Sequence, residues 1–196
     1  MKKKIAITGG IGSGKSYVLQ KLQKKGFPIF SCDDIYRDVI QSKSYIKKIE
    51  EEFPDCIIEG KIDRKRLAQQ VFNNKENLQK LNAIAHPLIM SNLLSLMDAQ
   101  NEKVVFAEVP LLFEGNFESL FDEIIVVMRT REERISSIVL RDKITCEEAS
   151  ARIAAQFDYD APENLSRLQK ENVHIIFNNG SLKDLDRQIN ELRIVL

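Results

Sequence analysis

Near the start of the chain two glycines bracket four residues and are followed at once by a lysine and a hydroxyl, Gly9-x-x-x-x-Gly14-Lys15-Ser16. Two further glycines, Gly10 and Gly12, lie inside that interval, so four of the chain's 8 glycines fall within residues 9–14. Glycine lets a loop curl until successive backbone N–H groups point at one anion. A helix starting near Lys15 would add the positive end of its dipole. In such a loop Lys15 reaches the β- and γ-phosphates of a nucleotide, and the Ser16 hydroxyl can ligate Mg²⁺. The bland alternative is a glycine-rich turn that happens to precede a helix. The apolar run Ile5-Ala6-Ile7 before the loop and the helical pattern after it supply the context that the phosphate reading requires. These residues imply a nucleoside triphosphate site but do not fix the reaction.

A GTPase would next need a base-reading Asn-Lys-x-Asp sequence; Asn73-Asn74-Lys75-Glu76 does not match it. A small-molecule kinase needs a carboxylate at the acceptor hydroxyl, one near Mg²⁺, and arginines around the transferring phosphoryl group. Asp33 follows a second apolar run (27–30), where an open parallel sheet places ligands at its carboxyl edge. It could take the acceptor's proton, or Asp33 or Asp34 could cap the next helix. Glu108 ends the apolar run 104–107 and could hold a magnesium-bound water, or merely close a strand. Arg134 and Arg141 are seven apart on one predicted helix and share a flank; Arg152 and Gln156 are four apart on the next. Without the glycine loop, a solvated charged face would explain all four. His86 and His174, the chain's 2 histidines, receive no proton-transfer role.

The elements that must position these groups are legible from periodicity. Strands are expected at 4–8, 27–30, 104–107, 124–128 and 174–177. Helices are expected at 15–25 (Val18, Leu19 and Leu22 inward, Gly26 closing), 34–40, 132–141, 146–156 and 182–192, the last capped by Ser181. Residues 44–101 read as charged, helical and free of convincing strands. Asp63 caps a helix there, and Pro87 should kink or divide another near His86. Apolar strands alternating with amphipathic helices give an α/β fold, a parallel sheet covered on both sides. Lys+Arg and Asp+Glu balance at 29 each, which does not suggest a nucleic-acid binder. Cys32, Cys56 and Cys146 form no zinc or disulfide pattern and read as free thiols. The apolar stretch after the basic start is too short for a signal peptide, and no run reaches transmembrane length; a cytoplasmic protein without a membrane partner is expected.

Taken in order, several segments resemble the dephospho-CoA kinase family. They are residues 7–16, Asp33-x-Ile35-x-Arg37, Ile62-Asp63-Arg64 with Leu67, His86-Pro87, Pro110-Leu111-Leu112-Phe113-Glu114, Arg141-Asp142, Arg152-Ile153-Ala154-Ala155-Gln156 and Asn178-x-Gly180. The resemblance implies ATP- and Mg²⁺-dependent phosphorylation of the ribose 3′-hydroxyl of dephospho-CoA, the last step of coenzyme A synthesis. It implies a P-loop kinase-like three-layer fold with a five-stranded parallel sheet. The core would span about 1–43, 102–141 and 158–196, a helical CoA-side insertion about 44–101, and a lid about 142–157. ATP would lie on Gly10, Ile11, Gly12, Ser13, Gly14, Lys15, Ser16, Tyr17 and Arg141, with Mg²⁺ at Ser16 and Glu108. Asp33 would act as general base beside Lys15 and Arg141 as catalytic groups. Asp33, Arg37, His86, Pro110, Leu111, Leu112 and Glu114 would surround the acceptor.

Four positions depart from the family pattern. Ser31-Cys32-Asp33 replaces Asp-Ala-Asp, Glu108 replaces a strand-end aspartate, Tyr17 follows the loop serine in place of threonine, and Ser137 stands where arginine is common. Rival readings are a P-loop nucleoside or nucleotide kinase and a degenerate nucleotide-binding regulator. Oligomeric state is not written in the sequence.

Overall fold

The uninterrupted apolar runs form buried strands, as a sheet covered on both faces requires. In a computed structural model, which describes residues 2–72 and 74–192, the elements begin with β1 (Lys3–Thr8), α1 (Lys15–Lys24), β2 (Ile29–Ser31) and α2 (Cys32–Val39). A helical stretch follows: α3 (Lys43–Glu52), the short strands β3 (Ile57–Ile58) and β4 (Lys61–Ile62), α4 (Arg64–Val71) and α5 (Lys75–Asp98). The chain then returns through β5 (Val104–Glu108), β6 (Glu123–Met128), α6 (Arg131–Asp142), α7 (Cys146–Ala154), α8 (Leu165–Leu168), β7 (Val173–Phe177) and α9 (Leu182–Glu191). Two compact units result, Met1–Phe30 with Gln100–Leu196, and Ser31–Ala99.

The first unit is built on a five-stranded parallel sheet in the order β2-β5-β1-β6-β7. β1 sits at its centre, pairing Ile7 with Glu108 of β5 on one side and with Ile125 of β6 on the other. The loop after Thr8 therefore leaves the sheet between two neighbouring strands, at its carboxyl edge, where open parallel sheets bind ligands. On one face Ile5, Ile7, Phe106, Ile125 and Val127 pack with Val18 and Leu22 of α1 and with Leu185 and Ile189 of α9. Each such fully buried side chain stabilises by roughly 1.5–3 kcal/mol. A second cluster joins Ile138 of α6 to Ala149 and Ile153 of α7, and Ile11 of the glycine loop packs against it.

In the second unit α5 packs against α2, α3 and α4. Side-chain caps start two of these helices: Asp63, as the sequence suggests, accepts the N–H groups of Lys65 and Arg66, and Asn74 accepts that of Asn77. Three features differ from expectation. Residues 57–62 form a hairpin, with Ile57 opposite Ile62, across a turn in which Glu59 (φ 50°) and Gly60 (φ 73°) are both left-handed. That backbone suits a tight hairpin, and only glycine adopts it without strain. Helix α5 runs through Pro87 undivided. Proline removes one N–H there, while Ile84 and Ala85 before it and Ile89, Met90 and Leu93 after it are all buried. Finally, α2 begins at Cys32 rather than Asp34, because Ser31 caps it.

Candidate active site

The glycine loop is held from several sides by the rest of the first unit, and its glycines are fixed by that packing. A Cβ on Gly9 would overlap the Val127 carbonyl oxygen, and one on Gly14 the Asn178 amide. A Cβ on Gly12 would lie 2.8 Å from the Arg134 carbonyl oxygen. On Gly10 it would run into the Arg134 guanidinium. Gly9, Gly12 and Gly14 also have positive φ (142°, 78° and 94°). Gly10 does not, so only close approach by Arg134 demands glycine at that position.

Arg134 is 7% exposed, and its Nε–H donates to the Ile11 carbonyl at 2.9 Å. Burial pulls its pKa down; Tyr159, Asp160 and Asp158 oppose that effect. The N–H of the same Ile11 donates to Gln156 Oε1 at 2.7 Å. One loop residue is thus gripped through both its peptide groups, by α6 and by the end of the α7 segment. Asn178 Nδ2–H donates to the Ser13 carbonyl at 2.9 Å. Tyr159, buried, places its hydroxyl 3.4 Å from Thr8 Oγ1 at the root of the loop. Burial pushes the Tyr159 phenol up to about 12, so it stays neutral at pH 7.

The predicted nucleotide-binding residues divide by role. Lys15 Nζ donates to the Gly9 carbonyl at 2.8 Å and the Gly10 carbonyl at 3.3 Å, folding its charge over the loop. Ser16 is exposed in the first turn of α1. The Tyr17 side chain points elsewhere: its hydroxyl donates to Asp186 Oδ1 of α9 at 2.9 Å, and Lys21 Nζ donates to Asp186 Oδ2 at 2.7 Å. Glu108 ends β5 half-buried, beside Ile7 of β1. Arg141 is exposed and donates to Asp142 at 2.7 and 3.1 Å, and Arg152 donates to the same carboxylate at 2.7 Å. These bonds, chiefly that from Arg141, hold Asp142 below the usual carboxylate range. Ser137 accepts from Arg129 Nη1 at 2.7 Å, so an arginine from the end of β6 reaches the position where helical arginine is missing.

The 110–114 segment is tied to the same scaffold. Leu112 is fully buried and Leu111 is exposed. Glu114 Oε1 accepts the Phe157 N–H at 2.8 Å, and the Phe113 and Phe157 rings stack at 4.6 Å. Arg167 donates to the Phe113 carbonyl at 2.7 Å and lies over both rings. Residues 156–159 therefore form a strap that bonds the glycine loop and its root through Gln156 and Tyr159 at its two ends and the 110–114 segment through Phe157 between them. Sequence reading missed Tyr159, Phe157 and Arg167. The alternation Phe157-Asp158-Tyr159 was the available signal, but nothing local says where those rings go.

On the second unit, Asp33 is exposed in the first turn of α2. Ser31 Oγ accepts the Asp34 N–H, so Asp33 is not the cap. Arg37 pairs with Asp34, both exposed. His86 is half-buried in α5, and burial lowers its pKa. Its imidazole is accordingly neutral at pH 7.

Residues 3–184 match the sequence model of the dephospho-CoA kinase family. A dephospho-CoA kinase of Fusobacterium nucleatum is 39% identical over 187 residues, covering 94% of each chain. Structures similar to this one include a protein of Thermus thermophilus (TM-score 0.79, 33% identity, 96% and 95% of the two chains). Another is a dephospho-CoA kinase from Campylobacter jejuni (TM-score 0.66, 30% identity, 98% and 96% covered). A shikimate kinase of Bacteroides thetaiotaomicron, at 13% identity and TM-score 0.51, shares the fold alone. With a triphosphate loop gripped at the sheet's carboxyl edge and relatives matched along nearly its whole length, this chain belongs to the dephospho-CoA kinase family.

Proposed function

We propose that the protein transfers the γ-phosphoryl group of ATP to the ribose 3′-hydroxyl of dephospho-CoA, giving CoA and ADP. The observation that carries this reading is the loop itself: Lys15 is poised over carbonyls of a backbone cradle whose shape Arg134, Gln156 and Asn178 fix in advance. Phosphoryl transfer through a loose transition state depends on positioning and on charge stabilisation, and a preformed cradle supplies both. With ATP bound, Lys15 turns from the Gly9 and Gly10 carbonyls to the phosphate oxygens. Asp33, released from capping by Ser31, accepts the hydroxyl proton. Arg141, an exposed cation on the lid side, approaches the transferring charge. Arg37, His86 and the 110–114 segment contribute to acceptor binding.

Mg²⁺ suits the available donors, since Ser16 and Glu108 offer hard oxygen ligands and the ion prefers to keep phosphate and water in its shell. When bound, it neutralises charge on the phosphates. Residues 142–157 act as lid, and the helical unit takes the acceptor. Three free cysteines fit a reducing compartment such as the cytoplasm. Among the described residues no helix is long and apolar enough to cross a membrane.

The test is a coupled assay of ADP release with dephospho-CoA as acceptor, with mass spectrometry locating the new phosphate. Transfer to nucleosides but not to dephospho-CoA, or ATP binding without transfer, would overturn the reading.

A further inference from the structure

Asp142, the last residue of α6, holds two arginines at once. Its Oδ1 accepts from Arg141 Nε at 2.7 Å, and its Oδ2 accepts from Arg141 Nη2 at 3.1 Å and from Arg152 Nη1 of α7 at 2.7 Å. Two guanidinium groups side by side repel, and the shared carboxylate offsets that repulsion. A guanidinium has five N–H donors. The bonds to Asp142 occupy two on Arg141 and one on Arg152, and both side chains are half or more exposed. The cluster therefore keeps unused donors and a net positive charge with which to meet a second anion.

Joining α6 to α7 does not require this arrangement. Ile138 already packs with Ala149 and Ile153 across the two helices, and Arg131 Nη2 donates to Ser150 Oγ at 2.7 Å. The bonds from Arg141 link neighbours in the chain and brace nothing. Ion pairs this exposed also add little to stability. What the cluster does achieve is placement. Arg141 lies seven residues after Arg134 on one flank of α6, and Arg152 lies four residues before Gln156. Arg134 and Gln156 are the two side chains that grip Ile11 of the glycine loop. Each arginine thus stands one or two turns from its own helix's hold on the loop, roughly 10 Å in the case of Arg141. Asp142 brings the two together there.

Resting on the functional reading above, we propose that Asp142 is a positioning residue that presents Arg141 and Arg152 as a paired clamp for the phosphoryl group in transfer. Arg152 then touches the transferring charge beside Arg141, while Asp142 touches only the arginines. A loose transition state spreads negative charge over the phosphoryl oxygens, and cations already in place stabilise it without reorganising.

The test compares wild type with Asp142→Asn, Asp142→Glu, Arg152→Ala and the double variant Asp142→Asn/Arg152→Ala. Turnover with ATP and dephospho-CoA, ATP affinity by calorimetry, and Tm are measured on each. Asp142→Asn keeps the shape and removes the charge; it should lower kcat about ten- to hundredfold, the effect of a misplaced catalytic group. ATP affinity should be nearly unchanged, and Tm should fall by less than about 4 °C. Asp142→Glu should recover part of the loss. Arg152→Ala should lower kcat by a similar factor, and in that background Asp142→Asn should cost less than it does alone. A near-wild-type kcat for Asp142→Asn would overturn the proposal. So would equal losses with and without Arg152, a loss confined to ATP affinity, or a lowered Tm with kcat restored on cooling. Wild-type turnover of dephospho-CoA tests the functional reading separately. If it fails, the same comparison on the acceptor that is turned over, or on ATP hydrolysis, still decides the role of Asp142.

Discussion

Gly10→Ala separates two explanations of the loop's glycines. If Gly10 is bare so that phosphate can approach, alanine should damage ATP binding and leave the folded protein as stable as before. The structure argues otherwise, because an added Cβ would meet the Arg134 guanidinium, which is buried and pinned through Nε to the Ile11 carbonyl. A side-chain tip can often swing aside at little cost. This one would have to break that bond and shed its burial to do so. Overpacking of this kind costs about 1–3 kcal/mol. In a chain of this length that lowers Tm by roughly 2–12 °C.

The decisive comparison is a double-mutant cycle. In an Arg134→Ala background the clash is gone, and Gly10 has no positive φ to protect. There, alanine should be neutral, or stabilising by about 0.4–1 kcal/mol through the reduced freedom of the unfolded chain. The two substitutions should therefore couple by roughly 1–3 kcal/mol. Thermal unfolding of the four proteins, with nucleotide binding measured alongside, gives the result. An equal cost of Gly10→Ala in both backgrounds would refute the packing argument, as would lost ATP affinity at unchanged Tm.

Gln156→Leu strips the acceptor from the Ile11 N–H and should cost about 1–3 kcal/mol where that donor stays dry; KM for ATP should rise, and an unchanged KM would show that the grip is dispensable. Asp33→Asn should cut kcat by about 10²–10⁴-fold, the range for a general base, with ATP affinity nearly intact; near-normal turnover would remove Asp33 from that role. Glu123 loses some preference for its charged form through burial, but hydrogen bonds from His174 at 2.7 Å and Lys3 at 2.9 Å outweigh that and depress its pKa. A depressed carboxylate contributes stability that is present above its unfolded pKa and lost as pH falls through the folded value. Wild type should therefore lose its advantage over Glu123→Gln as pH drops below about 4.5, and a pH-independent Tm difference would contradict this.

The sheet and the phosphate loop were legible because each rests on a local pattern: an apolar run, a glycine spacing, a capping residue. The hairpin at 57–62 was missed: Glu59-Gly60 between isoleucine-rich pairs is a turn signal, but the charged texture around it reads as helix. Arg134 was harder. Helical periodicity puts Arg134 and Arg141 on one flank of α6, yet the first is buried under the loop and the second is exposed on Asp142. A shared flank gives direction and not depth, and two turns along the helix the neighbour changes from the glycine loop to solvent. The strap at 156–159 was illegible for a similar reason. Its partners, Ile11, Thr8 and Glu114, lie far away in sequence, and no spacing rule links them.

Three of the four departures from the family pattern have a physical account; nothing in the structure explains Glu108 in place of aspartate. Serine caps a helix as well as aspartate does, so Ser31 keeps the start of α2 and forfeits only a charge. Tyr17 spends its hydroxyl on Asp186, in a contact that braces α1 against α9 and leaves Lys15 and Ser16 alone. Ser137 is met by Arg129, so that region retains a guanidinium delivered from a strand end rather than from a helix. A chain drifting toward mere nucleotide binding would first relax the costly arrangements. A buried arginine beneath a glycine, and a loop residue bonded through both peptide groups, are costly to keep. Both are intact here, while the altered positions lie where a different side chain could find a partner. That distribution of change is what a working phosphotransferase predicts.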